Sequence, residues 1–283
     1  MTQGISIHIG LNRVDPAQYH GWEGVLTGCI NDAQSMDTIA TRVGYGPITT
    51  LIDDHATRAN VISAIGQAAQ KLQPGDILLV SYSGHGGEVP DANGDEPDHM
   101  DETWALYDGE LIDDELYLLW SQFAEGVRIL VFSDSCHSGT VTRDLRATPD
   151  FAPVAPQEAA VEGLTKAIPN DIAKATYEEH KDRYTAAEWM AVKGRNTPVK
   201  ATVLLISGCQ DNQESMDAPW GRENGAFTAG LLDVWQNGNF QGDYHTFWQQ
   251  IVNNLPAKQQ PNFFTAGVPN PVFEAQKPFT ISG

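Results

Sequence analysis

Two side chains of this sequence could together make and break acyl bonds, the thiol of Cys136 and the imidazole of His85. Each follows an apolar run that ends in a polar, glycine-bearing turn. The turns are Tyr82-Ser83-Gly84-His85-Gly86-Gly87 and Ser133-Asp134-Ser135-Cys136-His137-Ser138-Gly139, with a third at Ser207-Gly208-Cys209-Gln210-Asp211. In an open parallel α/β sheet, ligands bind outside the carboxyl ends of the strands. Parallel strands here would therefore bring His85 and Cys136 to one edge of the sheet. An imidazole beside a thiol can take its proton and leave a thiolate, which makes a nucleophile–base pair. Gly86 has no side chain, so its N–H could meet an oxyanion alongside the N–H of Cys136. A lone Cys after a strand is more often a small buried hydrophobe, and Cys209 is read that way. His137 is the rival base, but in extended chain a sequence neighbour points away from the Cys side chain. His85 is favoured.

The elements that must carry these turns alternate between short β-rich runs and segments of helical period, the pattern of a parallel sheet covered by helices on both faces. Strands are expected at 4–10, 48–52, 77–82, 127–132 and 202–206. Asn31 or Asp32 can cap a helix whose apolar stripe is Ala33, Met36, Ile39, Ala40 and Val43. Further helices are expected from Thr57, over 113–123, over 226–235 and over 246–255. Residues 86–109 are polar and rich in Gly, Pro and Asp, which predicts a loop. Residues 144–200 break the alternation, with four prolines from Pro149 to Pro169, and predict a long, partly helical insertion open to proteolysis.

Composition narrows the partners. The 283 residues carry a net charge of −20, which argues against nucleic acid or an anionic membrane surface. Three widely spaced cysteines form neither a disulfide framework nor a zinc pattern, and point to a reducing compartment. The N-terminus lacks the basic and apolar regions of a signal peptide, and the apolar runs are too short to span a bilayer. A cytoplasmic protein is expected.

Five ordered motifs resemble those of metacaspases, in the caspase-like cysteine peptidases. They are Gly28-Cys29-Ile30-Asn31-Asp32-Ala33, the His85 turn, Gly94-Asp95-Glu96 with Met100-Asp101-Glu102, Ile112-Asp113-Asp114, and the Cys136 turn. The later runs at 207–213 and 225–228 are similar to that family's smaller C-terminal part. The resemblance covers residues 4–144 and 200–265, in the order of type I members without their N-terminal prodomain. It implies a three-layer α/β/α sandwich around a mostly parallel sheet, in one peptidase domain over 1–283. A large part would span 1–144, a linker 145–200 and a small part 201–283. A monomer is implied as well.

The resemblance also implies a pocket for the residue before the scissile bond, lined by Cys29, Asp32, Ser83 and Asp134. Two carboxylates in a partly buried slot favour a cationic guest, so the expected substrates are proteins and peptides cut after Arg or Lys. An Asp-selective caspase would need arginines there, and its Gln-Ala-Cys run is replaced here by Asp134-Ser135-Cys136. Asp32 has a second reading as a helix N-cap.

Residues 91–102 hold six carboxylates. Asp91, Asn93, Asp95 and Glu102 fall at EF-hand positions, but Glu96 and Pro97 replace the required tight turn, and the EF-hand is rejected. The family resemblance implies a different Ca²⁺ site from Asp101, Asp113 and Asp114. At the spacing of a further family ligand this chain has Arg143, with Asp144 one residue on. The plainer reading of Asp113-Asp114 is a helix N-terminus complementing the dipole. The insertion carries eight Lys and Arg residues, Lys166 among them, so Ca²⁺-triggered self-cleavage within 144–200 is expected.

Overall fold

The computed structural model describes residues 2–91, 100–136, 164–194, 198–209, 213 and 215–282. Its centre is a six-stranded sheet in the order β11-β9-β7-β3-β1-β2. In chain order the first elements are β1 (Gly4–Gly10), α1 (Cys29–Val43), β2 (Ile48–Ile52), α2 (Arg58–Lys71) and β3 (Ile77–Ser83). Then come β4 (Gly86–Pro90), β5 (Met100–Leu106), β6 (Gly109–Ile112), α3 (Asp113–Trp120), β7 (Arg128–Asp134), β8 (Leu164–Thr165) and α4 (Asn170–Gly194). The remainder is β9 (Thr202–Ser207), β10 (Met216–Asp217), α5 (Ala226–Trp235), α6 (Tyr244–Asn254), β11 (Asn262–Gly267) and α7 (Pro271–Glu274).

All pairings of the central sheet are parallel except that of β11 with β9. Successive side chains of its inner strands serve opposite layers, as a sheet covered on both faces requires. Leu78, Val80 and Tyr82 pack with Val61 and Ile65 of α2 and Leu116 and Trp120 of α3. Ile77 and Leu79 pack on the other side with Met36 and Ile39 of α1, Phe227 and Leu231 of α5, and Phe247 of α6. The result is the expected three-layer α/β/α sandwich. Among the described residues, no helix is long and apolar enough to cross a membrane.

The expected loop at 86–109 is overturned. Its described part forms most of a three-stranded antiparallel sheet, in the order β4-β5-β6, that springs directly from the end of β3. Polar composition misled because these strands bury their acids: Asp101, Glu102 and Glu110 are all buried. Trp104 of β5 stacks on Tyr82 at 4.6 Å and donates its indole N–H to Ser133 Oγ, which clamps the small sheet onto the large one. In the insertion, α4 packs against α3 and β4, with Tyr177 and Tyr184 closing over Val89 and Ile112.

The C-terminal tail completes the second core layer. Phe279 is wholly buried, stacks on Phe132 at 5.4 Å and meets the edge of Trp235 at 4.8 Å. Arg128, at the start of β7, donates to Gln276 Oε1 and to the Thr280 and Ile281 carbonyls. Removing so large a buried ring leaves a cavity, so Phe279→Ala is expected to lower the unfolding free energy by about 3–5 kcal/mol. Urea unfolding of the two proteins measures it, and a loss below about 1 kcal/mol would mean that the tail does not belong to the core.

Candidate active site

The parallel register of β3 and β7 pairs Ser83 with Asp134. Two residues further along each chain stand His85 and Cys136, so both leave the same edge of the sheet at the same height. Both are buried. Between them Gly86 passes so close to the Cys136 backbone that a Cβ there would sit 1.9 Å from the Cys136 carbonyl oxygen. No other residue fits. The N–H groups of Gly86 and Cys136 converge on one acceptor, the carbonyl oxygen of Lys166, at 2.8 and 3.2 Å. Two backbone donors aimed at one carbonyl oxygen have the geometry of an oxyanion hole.

The imidazole is held from behind. His85 Nε2 lies 2.9 Å from the Gly24 carbonyl oxygen, which can only accept, so Nε2 carries the proton and Nδ1 is the basic nitrogen. Nδ1 has no hydrogen-bond partner of good geometry among the described residues, and the Ala167 peptide is close enough to the ring to influence its proton affinity. Burial lowers the His85 pKa to about 4, against the opposing pull of the Gly24 carbonyl. Trp22 packs on the ring at 4.6 Å. Gly24 adopts φ +54°, and a Cβ on it would press on Trp22 at 2.9 Å and on His85 Cδ2 at 3.1 Å. Its carbonyl can therefore reach the ring only because it is glycine.

Asp32, Ser83 and Asp134 converge on a guest that the chain itself supplies. The Lys166 ammonium lies 3.1 Å from Asp134 Oδ1, 3.2 Å from Asp32 Oδ2 and 3.0 Å from Ser83 Oγ, fully buried. The carboxylates are themselves held: Asp32 accepts from Ser83 Oγ, Asn224 Nδ2 and the Gly225 N–H, and Asp134 from Ser215 Oγ and both the N–H and Oγ1 of Thr228. Burial opposes the Lys166 charge, but Asp134, Cys29, Asp32 and Asp217 outweigh it and hold the ammonium well above the ordinary lysine value. Burial pushes Asp32 up, and the ammonium of Lys166 opposes it. Cys29 lines the same region, and burial pushes its thiol up.

Asp32 is not a helix cap. The N-cap of α1 is Gly28, without a side-chain capping bond. The donors just ahead of the helix go to Asp217 instead, which accepts from the Thr27 N–H, Thr27 Oγ1 and the Gly28 N–H at 2.6, 2.9 and 2.9 Å. The Asp32 carboxylate is thereby left to face the pocket.

The segment around Lys166 is laid out as an added strand. β8 pairs antiparallel with β10, Lys166 N–H donates to the Ser215 carbonyl at 2.9 Å, and Ile168 N–H donates to the Gly86 carbonyl at 3.0 Å. The Ser215 N–H in turn donates to Cys136 Sγ at 3.1 Å. This is the β-augmentation by which clefts bind extended peptides. Sequence reasoning missed Gly24, Ser215, Asp217 and Asn224, and it left Lys166 as one basic residue among eight. Thr228 lay within a motif that resembled the family, but carried no role there. His137, Arg143 and Asp144 lie outside the described residues, as does most of the acidic loop.

The three carboxylates expected to hold Ca²⁺ are all fully buried. Asp101 lies on β5, and Asp113 and Asp114 open α3. Since Thr103 pairs with Ile112, Asp101 and Asp114 each stand two residues beyond that pair, on its same side. Their hard oxygens suit Ca²⁺ chemically. Among the described residues, however, no group of three or more His, Cys, Asp or Glu is arranged to hold a metal.

The caspase domain family matches residues 14–273. Metacaspase-1 of Ajellomyces capsulatus is 30% identical over 88% of this chain and 75% of its own length. Metacaspase-1 of Saccharomyces cerevisiae is 32% identical over 80% of this chain, which spans 57% of that relative. Among solved structures, protein GSU0716 from Geobacter sulfurreducens is similar at TM-score 0.80 and 48% identity, over 99% of this chain and all of that one. Caspase-1 from Spodoptera frugiperda shares the fold at TM-score 0.54 and 14% identity, over 94% of this chain and 86% of that one. With a thiol and an imidazole at the strand ends of that fold, the chain belongs to the caspase domain family of cysteine peptidases, as a metacaspase-like member.

Proposed function

We propose that this protein is a Ca²⁺-stimulated cysteine endopeptidase that cleaves after Lys or Arg, and that its first substrate is its own Lys166–Ala167 bond. One observation carries the reading: the Lys166 carbonyl oxygen lies between the Gly86 and Cys136 N–H groups while its ammonium lies between Asp32 and Asp134. A peptide bond is thus held at both its reacting carbonyl and its specificity side chain, as proximity catalysis requires.

In the reaction the Cys136 thiolate attacks the Lys166 carbonyl carbon, and the oxygen takes the negative charge toward the two N–H donors. His85 carries the thiol proton on Nδ1 and delivers it to the Ala167 nitrogen as the C–N bond breaks. A thioester remains on Cys136. Water then attacks it, gives a proton to His85 and releases the Lys166 carboxylate and the free thiol. Until that cut, Lys166 fills the slot that an external Lys or Arg would use, so the uncut chain is self-blocked. A cavity of about 10 Å³ adjoins Asp32, Ser83 and Asp134, room for about one water, which accommodates the difference between an ammonium and a longer guanidinium.

Ca²⁺ would have to draw the Asp101, Asp113 and Asp114 carboxylates together, and in doing so would neutralise charge in and beside the small sheet. That sheet begins at Gly86, and the Ala105 N–H of β5 donates to the His85 carbonyl. Order in the small sheet therefore acts on the backbone of both the base and an oxyanion donor. No bond-making step involves the ion.

Three outcomes follow from these contacts. Millimolar Ca²⁺ should produce two fragments that separate between Lys166 and Ala167 by mass spectrometry. EDTA, Cys136→Ala or His85→Ala should prevent them, whereas Lys166→Arg should still be cut; cuts elsewhere, or full activity in EDTA, would count against the scheme. Asp134→Asn should lower kcat/KM for Arg and Lys fluorogenic peptides by about tenfold or more, since a buried partner charge is left uncompensated. An unchanged basic preference would remove Asp134 from the pocket. Gly24→Ala should lower kcat about 100-fold with KM little changed, because it displaces the base and not the pocket. An unaltered kcat would mean that the Gly24 carbonyl does not orient His85.

A further inference from the structure

Resting on the peptidase reading, we infer a second specificity site on the leaving-group side of the cut: an apolar subsite for an aliphatic side chain two residues after the scissile bond. Ile168 occupies it here. Its N–H is fixed to the Gly86 carbonyl at 3.0 Å, so this residue is registered against the same glycine that supplies an oxyanion donor. Its side chain is 5% exposed and packs in a cluster with Val14, Tyr19 and Ala105, with Trp22 against it. Ile172 and Ala173 of α4 also pack against the cluster, but Val14, Tyr19 and Trp22 precede α1 and Ala105 lies on β5, so these four walls belong to the body of the enzyme and do not depend on the linker.

Two of the walls make further contacts of their own. Tyr19 is wholly buried and its hydroxyl donates to the Leu106 carbonyl at 2.8 Å, while Trp22 also packs on His85. Gly87 shapes the floor: a Cβ there would come within 2.8 Å of Ile168 Cδ1, so the missing side chain is the space that the guest fills. Behind that glycine stands the buried carboxyl of Glu110, with Oε2 3.2 Å from the same Cβ position. An acidic guest would lose its hydration against apolar walls and face a second carboxyl. Glycine would leave the space empty.

The self-processed enzyme in Ca²⁺ tests this with two kinds of substrate. A short peptidyl-arginine coumarin amide has no residue in the subsite and reports the peptidase reading alone. Quenched peptides containing Lys-Ala-Ile, Lys-Ala-Gly or Lys-Ala-Asp differ only at the second position after the cut. The isoleucine peptide is expected to exceed the other two in kcat/KM by about tenfold or more, and Gly87→Val should erase that advantage over the glycine peptide. Equal turnover of the three, with the coumarin amide hydrolysed, would overturn the subsite and leave the peptidase reading standing. A Gly87→Val effect equal on all three peptides would also overturn it. No hydrolysis of the coumarin amide would remove the peptidase reading and the subsite with it.

Discussion

The organisation of this protein depends on one buried triplet of charges, the Lys166 ammonium between the Asp32 and Asp134 carboxylates. Taking three ions out of water is costly, and attraction within the group offsets the cost only when the remaining lone pairs are also satisfied. Here they are: Ser83, Asn224, Gly225, Ser215 and Thr228 all donate to the two carboxylates. Those donors come from β3, from α5 and the residues just ahead of it, and from the residue before β10. The site therefore exists only when both halves of the chain are folded against each other. If Lys166 left, the donors and the two carboxylates would remain, and together they would favour another cation in the same position.

That dependence also explains how the protein would survive its own cut. β9, downstream of Lys166, lies between β7 and β11 in the central sheet. Separating the halves would break the β7–β9 ladder and expose the face that α5 and α6 cover. Asp217 adds a polar tie from β10 to Thr27 and Gly28 at the start of α1, and Arg128 ties β7 to the C-terminal tail. Opening the linker thus changes what lies in the cleft, and the architecture around it persists.

Much of this was legible in the sequence because of simple periodicity. β1, β3, β7 and β9 are short apolar runs buried on both faces, and β3 and β7 each end in a turn that carries site residues. The small antiparallel sheet was not legible, because its strands bury Asp101, Glu102 and Glu110 and so read as a solvated loop. Lys166 was hidden for a different reason. Nothing in its neighbours distinguishes it from the other basic residues of the insertion, and only the tertiary placement of residues 164–168 across the strand ends singles it out. Asp32 shows the reverse case. Its position just before the apolar stripe that begins at Ala33 fits a cap by local rules, but the helix starts earlier, and Asp217, distant in sequence, takes the donors ahead of it and leaves the carboxylate for the pocket.

The groups that act on the reacting bond are mostly backbone. The two oxyanion donors are N–H groups, the positioner of His85 is a carbonyl, and the strand around the cut is held by the Ser215 and Gly86 peptides. Two of these backbone groups come close only because a side chain is missing, and that part of the machinery appears in the sequence as glycines 24 and 86. Under the proposed function, specificity would instead lie in side chains: Asp32, Ser83 and Asp134 before the cut, and Val14, Tyr19 and Trp22 after it. Catalytic geometry is thereby fixed by the course of the chain, while the choice of guest depends on residues that can change without moving that course. Such a division lets one fold keep its chemistry and alter what it cuts.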